Sequence, residues 1–494
     1  MNSGPSLNVG PERDNRSFSG RPPRALVYYH LSLFLDHLLS SVMRSDYGRS
    51  NRLSIENSNK NAAFCFHLTL LQRSRPFTHR SYNTGVVPTE QRPPGLDAAP
   101  GAVQNSLAGR GLSGLIVSGM LIAFLGAILP AWRYHIELNF LLIGSYFLCQ
   151  NLGMLLAPLA GLPLLRMRGI GFTLTLGCAL AAAALLLLAA FSPPAHYGWR
   201  MGGLFILGLS AGLLNISAFH AITPAYELHP AATLNLVGAM FGFGCLLCAL
   251  FLAGTFFVYT VPSVLILMAM APVFAAVHYA RAKLPSIPVV RQPSLKETLK
   301  DFKSPAAILF AMLLFFQFGN EGALAGWLAL FLIQRLGISP ETSLFLLALY
   351  WGSLLIGRLV AQSLLPRVSH IRLLTGAVLA PMFACIVLFF TNNLFGATIG
   401  VLLAGGGFSV ILPLVMERIG SRFPYFHPGF YNGIFSIALT GGLLAPGTLG
   451  YIAHYLGKGA VMGLPLIGSI MVFLLLLLIF LEDKLSGQAV KYPA

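Results

Sequence analysis

After Arg110 this 494-residue chain consists of apolar runs too long and too poor in charge to fold in water. Leu228 to Ala280 contains no Asp, Glu, Lys or Arg, and neither does Leu373 to Met416. A helix needs about 20 mainly apolar residues to cross a bilayer. Cut at charges and at Pro, Gly and Asn, the chain yields candidate spans at 111–132, 138–165, 169–191, 201–223, 231–254 and 260–280. A second six follow at 305–334, 342–365, 373–391, 395–416, 428–452 and 460–481. Two cuts are soft: one near Pro262, the other at Thr391-Asn392-Asn393. The expected fold class is an all-α membrane protein of twelve transmembrane helices in two six-helix halves.

Composition removes the other classes. Charged residues make up 10% of the chain, against roughly 25% in a soluble globular protein, so a soluble enzyme is excluded. Nucleic-acid binding needs cations clustered on a folded polar surface, and here they sit between the spans. Six cysteines lie in or near apolar runs and form no disulfide framework. The Cys245-x-x-Cys248 pair lies mid-span, where small packing residues are the ordinary reading. No H-E-x-x-H, G-x-S-x-G or Walker A pattern occurs, so neither enzyme chemistry nor a cofactor or metal is implied.

Lys and Arg are enriched in cytoplasmic loops. Fourteen basic residues fall on the side holding Arg166, Arg168, residues 281–304, Arg367, Arg372, Arg418, Arg422, Lys484 and Lys491. Four fall on the other: Arg133, Arg200, Arg335 and Lys458. The first side is expected to be cytoplasmic, with both termini inside a cell (plasma or inner) membrane. Residues 1–110 hold no spanning run and read as a disordered or wrongly included leader. They are followed by a first half at 111–280, a cytoplasmic linker at 281–304, a second half at 305–482 and a tail at 483–494. Six plus six spans with a long central linker is the arrangement of transporters built from repeated halves, which bind substrate near the midplane.

Polar groups inside spans are costly and therefore informative. Glu321 is the one acidic residue deep in a span. Gln317, Asn320 and Glu321 share a helical face, and Trp327 can line it. Asn432, Ser436 and Thr440 form a second stripe in the eleventh span. Asn215 and His220 mark the fourth span, Tyr146 and Gln150 the second, and Tyr350 the eighth. Each could be a buried interhelical hydrogen bond. Two stripes together, one with a carboxylate, fit a shared wet cavity for a hydroxylated or otherwise polar small solute. Arg358 is the other intramembrane charge. It stands one to two turns from the cytoplasmic end of its span at about 1.5 Å per residue, where it would snorkel as an interfacial anchor or make a gating contact. On that count its depth differs from that of Glu321 by more than about two turns, and direct pairing is not expected.

These residues resemble the major facilitator superfamily, and within it the fucose permease-like sugar transporters, over about residues 111–482. The specific pieces are GLLNISAFHAI (213–223), ATLNLVGAMFGFG (232–244), FGNEGALAGWLALFL (318–332), WGSLLIGR (351–358) and GIFSIALTGGLLAPGTLGYIA (433–453). The resemblance implies pseudo-symmetric halves, alternating access and, often, proton-coupled uptake, with Glu321 where many relatives carry a glutamate. Two acids of the fucose permease pattern are replaced, by Gly126 and Asn215. The loop motif after the second span keeps Gly161 and Arg166 but has Leu165 in place of Asp.

The expected function is secondary transport of a small polar solute, a sugar or sugar-like molecule first, by a monomer in the lipid bilayer. Asn215, Gln317, Asn320, Glu321, Trp327, Tyr350, Asn432 and Ser436 would bind the solute. Glu321 would couple protons, and Arg166 and Arg358 would be gating or interfacial. The alternatives are an efflux carrier for amphipathic compounds and a transport-dead sensor or scaffold.

Overall fold

The structure is a computed structural model describing residues 101–133, 139–228, 230–282, 304–364, 367–423, 428–457 and 459–485. Among these residues it is all-helical. The helices are α1 (Gly101–Arg133), α2 (Phe140–Ala190), α3 (Tyr197–Leu228), α4 (Pro230–Thr255), α5 (Val261–Arg281) and α6 (Pro305–Leu336). They continue with α7 (Pro340–Leu364), α8 (His370–Phe390), α9 (Leu394–Arg422), α10 (Pro428–Leu456) and α11 (Ala460–Leu485). All eleven contain a segment long and apolar enough to cross a membrane.

Local chemistry sets the ends. Proline opens α4, α6, α7 and α10, where its missing N–H costs nothing and its fixed φ suits the first turn. Asn139 and Asn393 cap α2 and α9 by accepting from the backbone N–H of Leu142 and Gly396. Gly337 closes α6 in the left-handed conformation, at φ 66°. Both soft cuts hold: α4 ends at Thr255 before α5 starts at Val261, and α8 ends at Phe390 before α9 starts at Leu394. The first helix starts at Gly101, upstream of residue 111.

The second and third spans are joined without a loop. Gly169 (φ 80°, ψ 177°) bends the 51-residue α2 into two crossings. That region is accessible essentially only to glycine. No atom lies within 4 Å of where a Cβ would sit at Gly169 or at Gly463 in α11, so backbone conformation alone separates the two sites. Gly169→Ala is expected to destabilise by about 1–3 kcal/mol, whereas Gly463→Ala is neutral or stabilising by up to about 1 kcal/mol. Thermal unfolding in detergent checks this pair; equal shifts would refute the backbone argument.

The halves repeat one packing scheme. In the first, α1 crosses α4 where Gly119 faces the Phe241 carbonyl and Gly244 the Ile116 carbonyl, and α3 crosses α2 where Gly208 faces the Gln150 carbonyl. In the second, α10 crosses α6 where Gly441 faces the Phe315 carbonyl, and α9 crosses α7 where Gly405 faces the Tyr350 carbonyl. Such close backbone approach is what drives helix association where lipid removes the hydrophobic force.

The halves meet along three seams. At the end of the bundle holding Trp132, α1 meets α6: a Cβ on Gly126 would lie 2.6 Å from the Ala325 carbonyl and 3.0 Å from Gly326 Cα. Beside it α2 meets α10, with Gly144 against Gly447 and Gly450 and Ser145 Oγ 3.0 Å from Tyr451 Oη. Asn151 donates to the Leu443 carbonyl further along that seam. The third seam joins α4 to α7, with Gly242 beside Leu354 and Gly238 beside Arg358.

Candidate functional site

Glu321 occupies the middle of α6 and is half-buried, whereas Gln317 and Asn320 on the same helix are buried. Its electrostatic neighbours among the described titratable groups are Arg358 and Tyr350 from α7 and Cys245 from α4. Arg358 is only 6% exposed. Its guanidinium lies against Gly238 of α4, where any Cβ would overlap it. The group therefore draws on both halves: charge and hydroxyl from the second, and a glycine notch and a thiol from the first.

Several of its polar atoms lack partners. Arg358 Nε and Nη1, Tyr350 Oη, and both amide atoms of Gln317 are buried without a hydrogen bond. A buried polar atom without a partner costs about 1–3 kcal/mol.

The position of Arg358 corrects the sequence reading. It does not snorkel to an interface, and it does share a group with Glu321. Counting depth from the Arg418 end of the bundle misleads, because α6 and α7 are not level there. From their shared end, Glu321 lies 15 residues below Leu336 and Arg358 18 residues below Pro340, about 5 Å apart in depth at about 1.5 Å per residue. Helical side chains also lean toward the helix N-terminus. The two helices are antiparallel, so Arg358 leans up and Glu321 leans down, and they converge.

Other predicted residues are placed elsewhere. Trp327 is fully buried; its Nε1 donates to the Pro446 carbonyl at 2.8 Å, and its ring sits 5.7 Å from Phe147 and 6.1 Å from Phe140. It packs the seam at the Trp132 end, and its indole N–H is already used. Asn320 turns to α11, donating to Ser469 Oγ at 3.4 Å. Asn215 keeps its Oδ1 buried without a partner on α3. Ser436 is exposed on α10, its carbonyl accepting from Thr440 Oγ1 at 2.8 Å, and the side chain of Asn432 lies outside the described residues. Arg166 is exposed just before the Gly169 bend, within electrostatic reach of His220.

Sequence reasoning misses Gly238 and Cys245, whose only signal is a G-x-x-x-G followed by a mid-span cysteine. It also misses Arg200, which reads only as a loop charge. Arg200 is 3% exposed and donates from Nε to Tyr146 Oη at 2.9 Å and from Nη1 to the Ala195 carbonyl at 2.8 Å. Tyr146 is therefore a brace within the first half, as is Gln150, which donates to the Leu121 carbonyl. Gly126 is also explained: α6 backbone fills the space a carboxylate would need.

The sequence profile of the Major Facilitator Superfamily matches residues 229–446. A protein of Helicobacter pylori (strain J99) described as a "Putative glucose/galactose transporter" is 25% identical over 366 residues, 69% of this chain and 86% of that one. An "Uncharacterized MFS-type transporter" of Yersinia pestis is 25% identical over 147 residues, which span 30% of this chain and only 38% of that protein. Among solved structures, a variant of the E. coli fucose:proton symporter FucP superposes with a TM-score of 0.54 at 15% identity, covering 76% of this chain and 99% of that one. Residues 229–446 carry the superfamily's profile, and the relatives and the fold agree with it: the chain is similar to multi-pass transporters of the major facilitator superfamily.

Proposed function

We propose that the chain takes up a small hydroxylated solute of sugar size together with a proton, and that Glu321 carries the proton. The observation behind this reading is the Glu321–Arg358–Tyr350 group at the seam between the halves, with buried donors and acceptors that lack partners. A carboxylate there can exchange a proton with whichever side the site faces, and hydroxyls can satisfy the orphaned groups. The description of the Helicobacter relative supports a sugar-like solute. The fucose:proton symporter shares the fold, in which two halves rock around a central site. Within this reading the protein works as a monomer in the cell membrane, with both termini inside.

The orientation is testable by itself. Ser339, between α6 and α7, and Arg168, beside the Gly169 bend, are both exposed. An impermeant thiol reagent added to intact cells is expected to label Ser339→Cys, and to label Arg168→Cys only after permeabilisation. The reverse pattern would overturn the inside assignment of the termini. The proton reading is tested by Glu321→Gln, argued in the Discussion.

A further inference from the structure

We infer that the co-transported solute is a hydroxylated monoanion of sugar-acid type, whose carboxylate binds Arg358 when Glu321 is protonated. This rests on the proposal that Glu321 carries the proton, and it follows from the charges that the site can hold.

A guanidinium stays charged in a protein. Arg358 is buried, two of its nitrogens have no hydrogen-bond partner, and Glu321 is the carboxylate that interacts with it among the described residues. With Glu321 ionised the empty site is neutral. Protonation of Glu321 leaves a net charge of plus one on a cation removed from water, which is strongly unfavourable unless a new counter-charge arrives. A neutral sugar brings none, so the carboxylate would keep its charge and no proton would be carried. A monoanion restores neutrality: the proton sits on the Glu321 carboxyl and the solute carboxylate against the Arg358 guanidinium, accepting from its Nε. Proton and anion then require each other, which is coupling.

The unpartnered atoms fit such a solute. Arg358 Nε is a charged donor without a partner, free to donate to a solute carboxylate oxygen. Tyr350 Oη and the Gln317 amide offer further donors and acceptors for hydroxyls. Gly238 is the positioning residue, because the guanidinium occupies the space that a side chain would fill.

The test uses the purified full chain in proteoliposomes with radiolabelled D-gluconate, D-glucuronate, D-galacturonate, D-glucose and D-galactose. Drive is either a pH gradient or a valinomycin-clamped potassium potential. At least one acid is expected to accumulate under the pH gradient, at least about tenfold above either hexose, since the charge pair decides affinity. A proton plus a monoanion carries no net charge, so that accumulation should not respond to the potential. Arg358→Gln should lower uptake of the acid about 100-fold, with Arg358→Lys retaining part of it. Should Arg358→Gln fail to fold, protection of the wild-type protein from thermal unfolding by the acids but not the hexoses is the second readout. Accumulation of a hexose that follows both pH gradient and potential would overturn the inference and leave the Glu321 proton reading standing. pH-insensitive movement of every solute, or no movement of any, would overturn both.

Discussion

Glu321→Gln is expected to fold, to bind solute and to exchange it across the membrane, yet to lose concentrative uptake. Glutamine keeps the shape and most of the hydrogen-bonding capacity but cannot take up or release a proton. Each pH unit of gradient is worth about 1.4 kcal/mol, a tenfold concentration ratio per proton carried. Under about two units of gradient, wild-type accumulation of about 100-fold should fall to about one in the variant, while counterflow of labelled against unlabelled solute persists. The variant must be uncoupled and not merely inactive for this to count. Counterflow therefore has to be measured on the same vesicles. Accumulation with an unchanged pH profile would make Glu321 a brace within α6 and end the coupling account.

The second large effect concerns stability. Arg358→Met leaves the Glu321 carboxylate without its cationic neighbour. Breaking a buried pair from one side costs about 3–5 kcal/mol, whereas removing both charges is often neutral. Glu321 is half-buried, so the loss should fall toward about 2–3 kcal/mol. The double variant Glu321→Gln, Arg358→Met should regain most of it. Folded yield and unfolding temperature in detergent give the cycle, with an expected coupling of about 1–3 kcal/mol. Additive losses would show that the two side chains do not meet.

How much of this can be read from residues alone depends on how local the cause is. Span ends are legible because proline, glycine and asparagine act within one turn: Pro305, Gly337 and the Asn393 cap each fix an end by their own chemistry. The junction after the second span is legible in place, since Arg166 and Arg168 mark it, but not in form, since Gly169 bends a continuous helix and a lone glycine looks the same as a packing one. Glu321 stands out because a mid-span carboxylate needs a reason wherever it points. Its partner is hidden because the helix ends from which depth is counted are not level and because spacing alone ignores the lean of helical side chains. Trp327 and Tyr146 look like cavity residues by spacing. Their polar atoms are consumed by Pro446 and Arg200, contacts that only the packing of distant segments creates. Gly126 reads as a lost acid, but the α6 backbone opposite it shows that no side chain fits there.

The central claim is that solute and proton cross together through Glu321, and proton movement itself tests it most directly. Proteoliposomes holding the wild-type chain and an internal pH dye are set at equal pH on both sides. The hexose and sugar-acid panel is then added outside under a clamped potential. At least one solute should acidify the lumen at a rate matching its own entry, one proton per molecule, and Glu321→Gln vesicles should show solute exchange without acidification. Solute entry into wild-type vesicles with no proton movement would contradict the account.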